Sequence, residues 1–184
     1  MRILIADDES IIRMGLKQML TEMGHYVITA TNGREAIQMA RKHQPELAVL
    51  DIKMPYTDGI RVAHTLSKAK PIPIIMLTAF SDDDLIEKAA ELPIQGYLVK
   101  PVKEGELKAA LSVACKRFDE QKELRLNNQR LVIAIETRKL IDRAKGKLMV
   151  EKGLNEEDAY RLLQMRARDS QKSIREIAHG ILNG

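Results

Sequence analysis

Five short apolar runs punctuate the first two-thirds of the chain, at residues 3–6, 26–29, 47–50, 73–77 and 96–99. Short, nearly charge-free runs of this kind predict strands buried on both faces. Stretches with helical spacing lie between them, near 10–23, 33–43, 58–68 and 82–91, and another begins at 103. Strands alternating with helices predict an α/β fold, a doubly wound five-stranded parallel sheet covered on both faces. Right-handed crossovers leave few topologies, and the flavodoxin-like order 2-1-3-4-5 is the expected one. The run at 26–29 is the weakest of the five, which places it at an edge.

Beyond residue 103 the pattern changes. No Pro occurs from Lys103 to Lys152, and Gly occurs there only at 105 and 146, so a long helix is expected. Apolar positions recur at Leu107, Leu111, Ala114 and Phe118, and a second register runs Leu124, Asn128, Leu131, Ile135. A two-stranded coiled coil with one phase slip accounts for both, and Asn128 at a seam position favours a dimer in register. The alternative is a helix packed onto its own domain, with a turn at Asn127-Asn128.

Gly153 is expected as the C-cap of this helix, and Asn155 as the N-cap of the next. Ser173 and Glu176 form a capping box for a last helix, whose face is Ile174, Ile177, Ala178, Ile181 and Leu182. The expected division is therefore a sheet domain at 1–120, a helical coiled-coil linker at 121–136 and a small three-helix all-α domain at 137–184.

Composition narrows the class. With six aromatics and no Trp, the core must be aliphatic. No apolar run approaches the roughly 20 residues of a membrane helix, and acids interrupt the first run where a signal peptide would continue. Cys115 is single, so no internal disulfide forms and a reducing cytoplasm is expected. The four His residues are scattered, without metal-ligand spacing. Residues 1–120 hold 16 basic and 17 acidic side chains, whereas 121–184 hold 14 and 9. The basic excess belongs to the tail and points to a polyanionic partner there, with a solvated basic face as the alternative.

The candidate chemistry sits at strand ends. Asp7 and Asp8 close the first strand and Asp51 the third, and the order 2-1-3-4-5 makes those ends neighbours. Three unpaired carboxylates in one crevice would repel one another, and a hard cation with oxygen ligands, Mg²⁺, resolves this. Thr78 ends the fourth strand and Lys100 the fifth, adding a hydroxyl and an ammonium. Taken singly, Thr78 reads as a strand-end cap and Lys100 as a lone salt bridge. Together the four ends describe a phosphoryl pocket with Asp51 as nucleophile or acceptor.

The motifs ADDE (6–9), LDIKMPYTDG (50–59), MLTAF (76–80) and GYLVKP (96–101) resemble those of response-regulator receiver domains. The resemblance implies that Asp51 accepts a phosphoryl group from the phosphohistidine of a sensor histidine kinase. It implies Mg²⁺ held by Asp8, Asp51 and the Lys53 backbone carbonyl, with Asp7 acting through an ordered water. It implies a switch in which Thr78 swings toward the phosphoryl group and Tyr97 rotates inward behind it. Such a protein is no enzyme beyond catalysing its own phosphorylation and dephosphorylation.

The stretch IDRAKGKLMVEKGLNEEDAYRLLQMRARDSQKSIREIAHGIL resembles the ANTAR domain, a three-helix RNA-binding output of antitermination regulators. The resemblance implies binding to tandem RNA hairpins and control of gene expression by transcription antitermination. Gly146 would admit a neighbouring helix, and Leu148, Met149, Leu163, Ala167, Ile177 and Ala178 are expected in the core. Arg138, Lys145, Arg166 and Arg168 are the first candidates for RNA contact. Tyr160, the single aromatic of 121–184, is either a base-stacking platform or a core anchor. Rival outputs are DNA binding, pure protein interaction, or a phosphatase using Asp51 on small substrates.

Overall fold

A computed structural model of the protein describes residues 1–79 and 93–183. The chain divides into two compact units, Met1–Lys122 and Glu123–Gly184.

The first unit contains β1 (Arg2–Ala6), α1 (Ser10–Glu22), β2 (Tyr26–Ala30), α2 (Gly33–His43), β3 (Leu47–Asp51), α3 (Gly59–Ala69), β4 (Ile74–Thr78) and β5 (Gly96–Val99), and the start of α4 (Glu104–Lys152). All strand pairs are parallel and the order is β2-β1-β3-β4-β5, as the crossover argument requires. The weak run is an edge strand. The helix expected at 82–91 and Phe80 lie outside the described residues.

Strand side chains alternate between two cores, because successive residues point to opposite faces. Ile3, Ile5, Val49, Ile75 and Leu77 pack with Leu16 and Leu20 of α1 and with Leu107, Leu111 and Ala114 of α4. Leu4, Leu50, Ile74 and Met76 pack with Ala36, Val62 and Leu66 of α2 and α3. All five residues of β3 and of β4 are buried, so their apolar runs show no polar alternation.

The 4-3-4 register at Leu107, Leu111 and Ala114 is thus no dimer seam. It buries against the chain's own sheet, and Phe118 ends it half-buried. The turn at Asn127-Asn128 is also absent, since α4 runs through both residues. The second register is different: every residue from 119 to 136 is exposed, including Leu124, Leu131 and Ile135.

The second unit ends α4 at Gly153, whose φ of +67° is the left-handed conformation a glycine cap supplies. Asn155 caps α5 (Glu156–Asp169) by accepting the Asp158 N–H at 2.8 Å. The capping box precedes α6 (Ile174–Asn183): Ser173 N–H and Oγ–H donate to Glu176, whose own N–H donates to Ser173 Oγ. Ala144, Leu148, Ala159, Leu163 and Ala178 form the buried centre, flanked by Ile174, Ile177, Ile181 and Leu182. Met149 is not core but 38% exposed, because it sits one residue round the helix from the buried Leu148. Nor does Gly146 admit a helix: a Cβ there would meet nothing within 4 Å. Among the described residues no helix is long and apolar enough to cross a membrane.

Candidate functional site

The carboxyl ends of β1, β3 and β5 converge on one ammonium. Lys100 Nζ lies 2.9 Å from Asp7 Oδ2, 2.9 Å from Asp51 Oδ2 and 3.0 Å from Glu9 Oε1. Asp7 is fully buried and Asp51 nearly so, while Asp8 and Glu9 face solvent. The Glu9 N–H donates to Asp7 Oδ1 at 2.8 Å, which turns the β1–α1 connection back over the strand end. Arg13, one turn into α1, donates to the Asp7 carbonyl at 2.7 Å. The Lys53 N–H donates to the Asp51 carboxylate.

Burial pushes the carboxyls of Asp7 and Asp51 above their ordinary pKa, and the Lys100 ammonium pulls them part of the way back. For Lys100, burial acts to lower the pKa, but the neighbouring carboxylates of Asp51, Asp7 and Glu9 outweigh it and hold the amine protonated. One cation facing four acids leaves the cluster negative. Oxygens of Asp7, Asp8 and Asp51 lie within 4.8 Å of one another. Mg²⁺ with ligands at about 2.1 Å spans about 4.2 Å between opposite oxygens, so small movements would suit these residues to it. Asp7 Oδ2 is buried, and its contact with Lys100 is an ion pair without good hydrogen-bond direction. This donor set therefore fits a hard divalent ion.

The loop after Asp51 is fixed by its own sequence. Asp58 caps α3 by accepting the Arg61 N–H at 2.7 Å. Gly59 is needed because a Cβ would fall on the Asp51 carbonyl oxygen, and Gly33 because one would fall on that of Thr57. Pro55 has a structural part, its carbonyl accepting the Thr57 N–H at 2.8 Å across Tyr56, which holds a φ of +67°.

The two switch residues lie on the paired strands β4 and β5. Thr78 is buried and its hydroxyl donates to the Ala79 carbonyl at 2.8 Å, so here it caps its own strand end. Tyr97 is outward, 37% exposed. Sequence reasoning missed Gln95, a buried side chain whose Oε1 accepts the Ile74 N–H at 2.8 Å. Its Nε2 donates to Gln121 at 3.4 Å and its carbonyl accepts from Arg117 at 3.2 Å, tying the start of β5 to α4. A polar residue just ahead of an apolar run was the available signal.

In the second unit three of the RNA candidates share one crevice. Arg138 and Lys145 of α4 and Tyr160 of α5 line it, with Ala134, Ile141 and Asp142. Arg138 is exposed and Tyr160 is 40% exposed, so Tyr160 is not the buried anchor of the alternative reading. Lys145 differs from a free basic group: its ammonium lies 2.8 Å from Asp142 and 2.7 Å from Glu156, and its side chain is only 15% exposed. Arg166 and Arg168 are exposed on the last turn of α5, away from this crevice's lining.

Comparison with known proteins agrees with both units. The response regulator receiver domain family matches residues 3–112, and the ANTAR domain family matches 129–182. The transcriptional regulatory protein PdtaR of Mycobacterium tuberculosis is 40% identical over 182 residues, 98% of this chain and 89% of that protein. A probable transcriptional regulator, ycf27 of Pyropia yezoensis, is 42% identical over 118 residues, 64% of this chain and 49% of its own. Among solved structures, a receiver domain protein from Clostridium thermocellum superimposes with a TM-score of 0.59 at 28% identity, covering 67% of this chain and 98% of its own. The receiver domain of a diguanylate cyclase from Desulfovibrio desulfuricans gives 0.61 at 28% identity, covering 65% and 97%. Receiver domains are signalling modules that bind Mg²⁺ through clustered acids and imply a histidine kinase partner, and ANTAR domains imply RNA binding. The chain belongs to the response regulators: it joins a receiver to an ANTAR domain as a phosphorylation-controlled regulator with an RNA-binding antitermination output.

Proposed function

We propose that Asp51 is the phosphoacceptor, and that its modification controls how the tail engages tandem RNA hairpins. The convergence of Asp7, Asp51 and Glu9 on Lys100, beside exposed Asp8, is the observation that carries this reading. An Asp51 oxygen attacks the phosphorus of the kinase's phosphohistidine. The O–P bond forms as the N–P bond breaks, and the imidazole leaves with the electron pair. Asp8, Asp51 and the Lys53 carbonyl would hold Mg²⁺, with Asp7 acting through a water, and the bound ion would supply positive charge for the phosphoryl oxygens. Lys100 releases Asp51 Oδ2 and pairs with a phosphoryl oxygen instead, which keeps its charge compensated throughout.

Thr78 then exchanges its Ala79 acceptor for the phosphoryl group, and Tyr97 turns in from its exposed position. The chain acts in the cytoplasm with a sensor histidine kinase as donor, and a homodimer through the exposed part of α4 brings two tails to paired hairpins with avidity. Arg138, Arg166 and Arg168 supply phosphate contacts, and Tyr160 a stacking face. The test is the affinity of the full chain for a two-hairpin RNA, with and without acetyl phosphate and Mg²⁺. Affinity is expected to rise on phosphorylation in the wild type and to stay at the basal level in Asp51→Asn. Equal enhancement in both would remove Asp51 from the mechanism.

A further inference from the structure

In the proposed function Asp51 accepts the phosphoryl group, and Asp7 and Asp8 complete the oxygen set for a hard cation. Glu9, the fourth acid at these strand ends, has neither task. It occupies the N-cap position of α1, yet its side chain makes no capping hydrogen bond. Glutamate is a poor residue for that position, where Ser, Thr, Asp and Asn are preferred. Arg13, one turn along α1, donates to the Asp7 and Asp8 carbonyls at 2.7 and 3.4 Å. The Glu9 carboxylate instead lies 3.0 Å from Lys100 Nζ, the nitrogen that also holds Asp51 at 2.9 Å. Glu9 is therefore within two hydrogen-bond lengths of the acceptor. Its side chain is 61% exposed and that of Asp51 only 7%, so the Glu9 charge stands on the solvent side of Asp51, where a phosphodonor must enter.

That charge is also surplus. A divalent ion and the Lys100 ammonium would balance Asp7, Asp8 and Asp51, and Glu9 would leave the pocket negative. We propose that Glu9 is a selectivity residue of the phosphoryl-transfer site, an electrostatic filter that disfavours small anionic phosphodonors against a phosphohistidine carried on a protein. This rests on the reading of Asp51 as phosphoacceptor and adds to it the class of donor that the pocket admits. A free dianion such as acetyl phosphate brings its whole charge past Glu9 and has only the pocket to offset the repulsion. A docked kinase offsets it with contacts spread over an interface. The bond changes are the same for each small donor. With acetyl phosphate, the Asp51 O–P bond forms as the P–O bond to acetate breaks, and acetate leaves with the electron pair. With phosphoramidate, a monoanion whose nitrogen is already protonated, the P–N bond breaks and ammonia leaves with the pair. At about 6 Å in water and about 30 mM ionic strength, one unit charge alters the encounter of a monoanion by about twofold and that of a dianion by about fivefold.

The experiment compares initial rates of phosphorylation of the full chain by acetyl phosphate and by phosphoramidate, at saturating Mg²⁺ and matched ionic strength, read by phosphate-affinity electrophoresis. Glu9→Gln keeps the shape of the side chain and removes its charge. Its rate is expected to rise about fivefold with acetyl phosphate and about twofold with phosphoramidate at about 30 mM ionic strength. Both gains should fall toward one at about 0.5 M salt, where the charges are screened. Glu9→Asp keeps the charge and should keep the wild-type ratio between the two donors. In calorimetric titration without any donor, Glu9→Gln should bind Mg²⁺ about threefold more weakly than wild type, because the ion feels the same charge. An unchanged donor ratio in Glu9→Gln, a Glu9→Asp that behaves like Glu9→Gln, or an unchanged Mg²⁺ affinity overturns the filter and leaves Asp51 as acceptor. If neither donor labels the wild type, or both label Asp51→Asn as well, the acceptor reading is wrong and the filter falls with it.

Discussion

Replacing Lys100 by Met keeps the aliphatic stem and removes the one charge that Asp7 and Asp51 share. The side chains of Asp7, Asp51 and Lys100 are 0%, 7% and 13% exposed, so water screens these contacts poorly. At an effective dielectric constant of about 20, each 2.9 Å contact is worth roughly 6 kcal/mol before desolvation. Desolvation offsets much of that, and breaking a buried pair from one side costs about 3–5 kcal/mol. For a unit of this size the loss corresponds to a fall in melting temperature of about 10–15 °C.

The pH dependence follows from the direction of the shifts. Asp7 and Asp51 have folded pKa values above the ordinary 3.8. Each therefore favours the folded chain most below 3.8 and loses that contribution as pH rises through its raised value. Lys100, with a raised pKa, stays charged across this window and limits the loss. Without it the loss deepens. The penalty of Lys100→Met should thus be full at about pH 7.5 and shrink toward about pH 4, as the carboxyls take up protons. Calorimetry of the full chain in chelator, at both pH values, reads it from the receiver transition. A penalty below about 1 kcal/mol, or one equal at the two pH values, would refute the account of Lys100 as the neutralising charge.

Gly33→Ala and Gly59→Ala each drive a Cβ into a backbone carbonyl and should cost about 3 kcal/mol in urea denaturation. Gly146→Ala, with open space around it, should gain about 0.5–1 kcal/mol in the same assay. Gln95→Leu leaves the Ile74 N–H without its side-chain acceptor and should cost about 2 kcal/mol, read as earlier urea unfolding of the first unit. Leu111→Ala should cost about 2–5 kcal/mol at any protein concentration, because it empties the sheet core. Leu131→Ala should leave monomer stability alone and weaken self-association in sedimentation equilibrium, since Leu131 is 61% exposed.

The receiver was legible because its chemistry is tied to strand ends, and strand ends follow from period and topology. Once Ile3–Ala6 and Leu47–Leu50 are parallel neighbours, Asp7 and Asp51 must approach each other whatever the details of packing. The role of Glu9 as a third partner of Lys100 was not legible, because an exposed acid on a loop has many possible directions. Gln95 was missed for a related reason. Its value lies in contacts 21 and 26 residues away, and no local pattern encodes those. In the tail the caps were legible from single residues, whereas the partners of Lys145 were not. A lysine among lysines reads as a free cation until Asp142 and Glu156 are placed beside it.

The long helix shows where periodicity stops being informative. Leu107, Leu111 and Ala114 repeat with the same spacing as Leu124, Asn128 and Leu131, yet the first set is buried in the chain's own core and the second is exposed. Spacing reports that a helix has an apolar face, not what covers it. The difference lies in the neighbouring residues: Ala110 and Ala114, on the face that packs on the sheet, are small enough for the helix to lie close on it. Around Leu131 the residues are Val132, Ile133 and Ile135, bulky side chains spread round the helix. A lone helix that shows such residues to water over 119–136 gains little from propensity alone and needs tertiary or quaternary cover to persist. The same helix therefore uses one apolar face to complete the receiver and leaves a second one to be covered, which is the physical basis for expecting control of the tail to run through association.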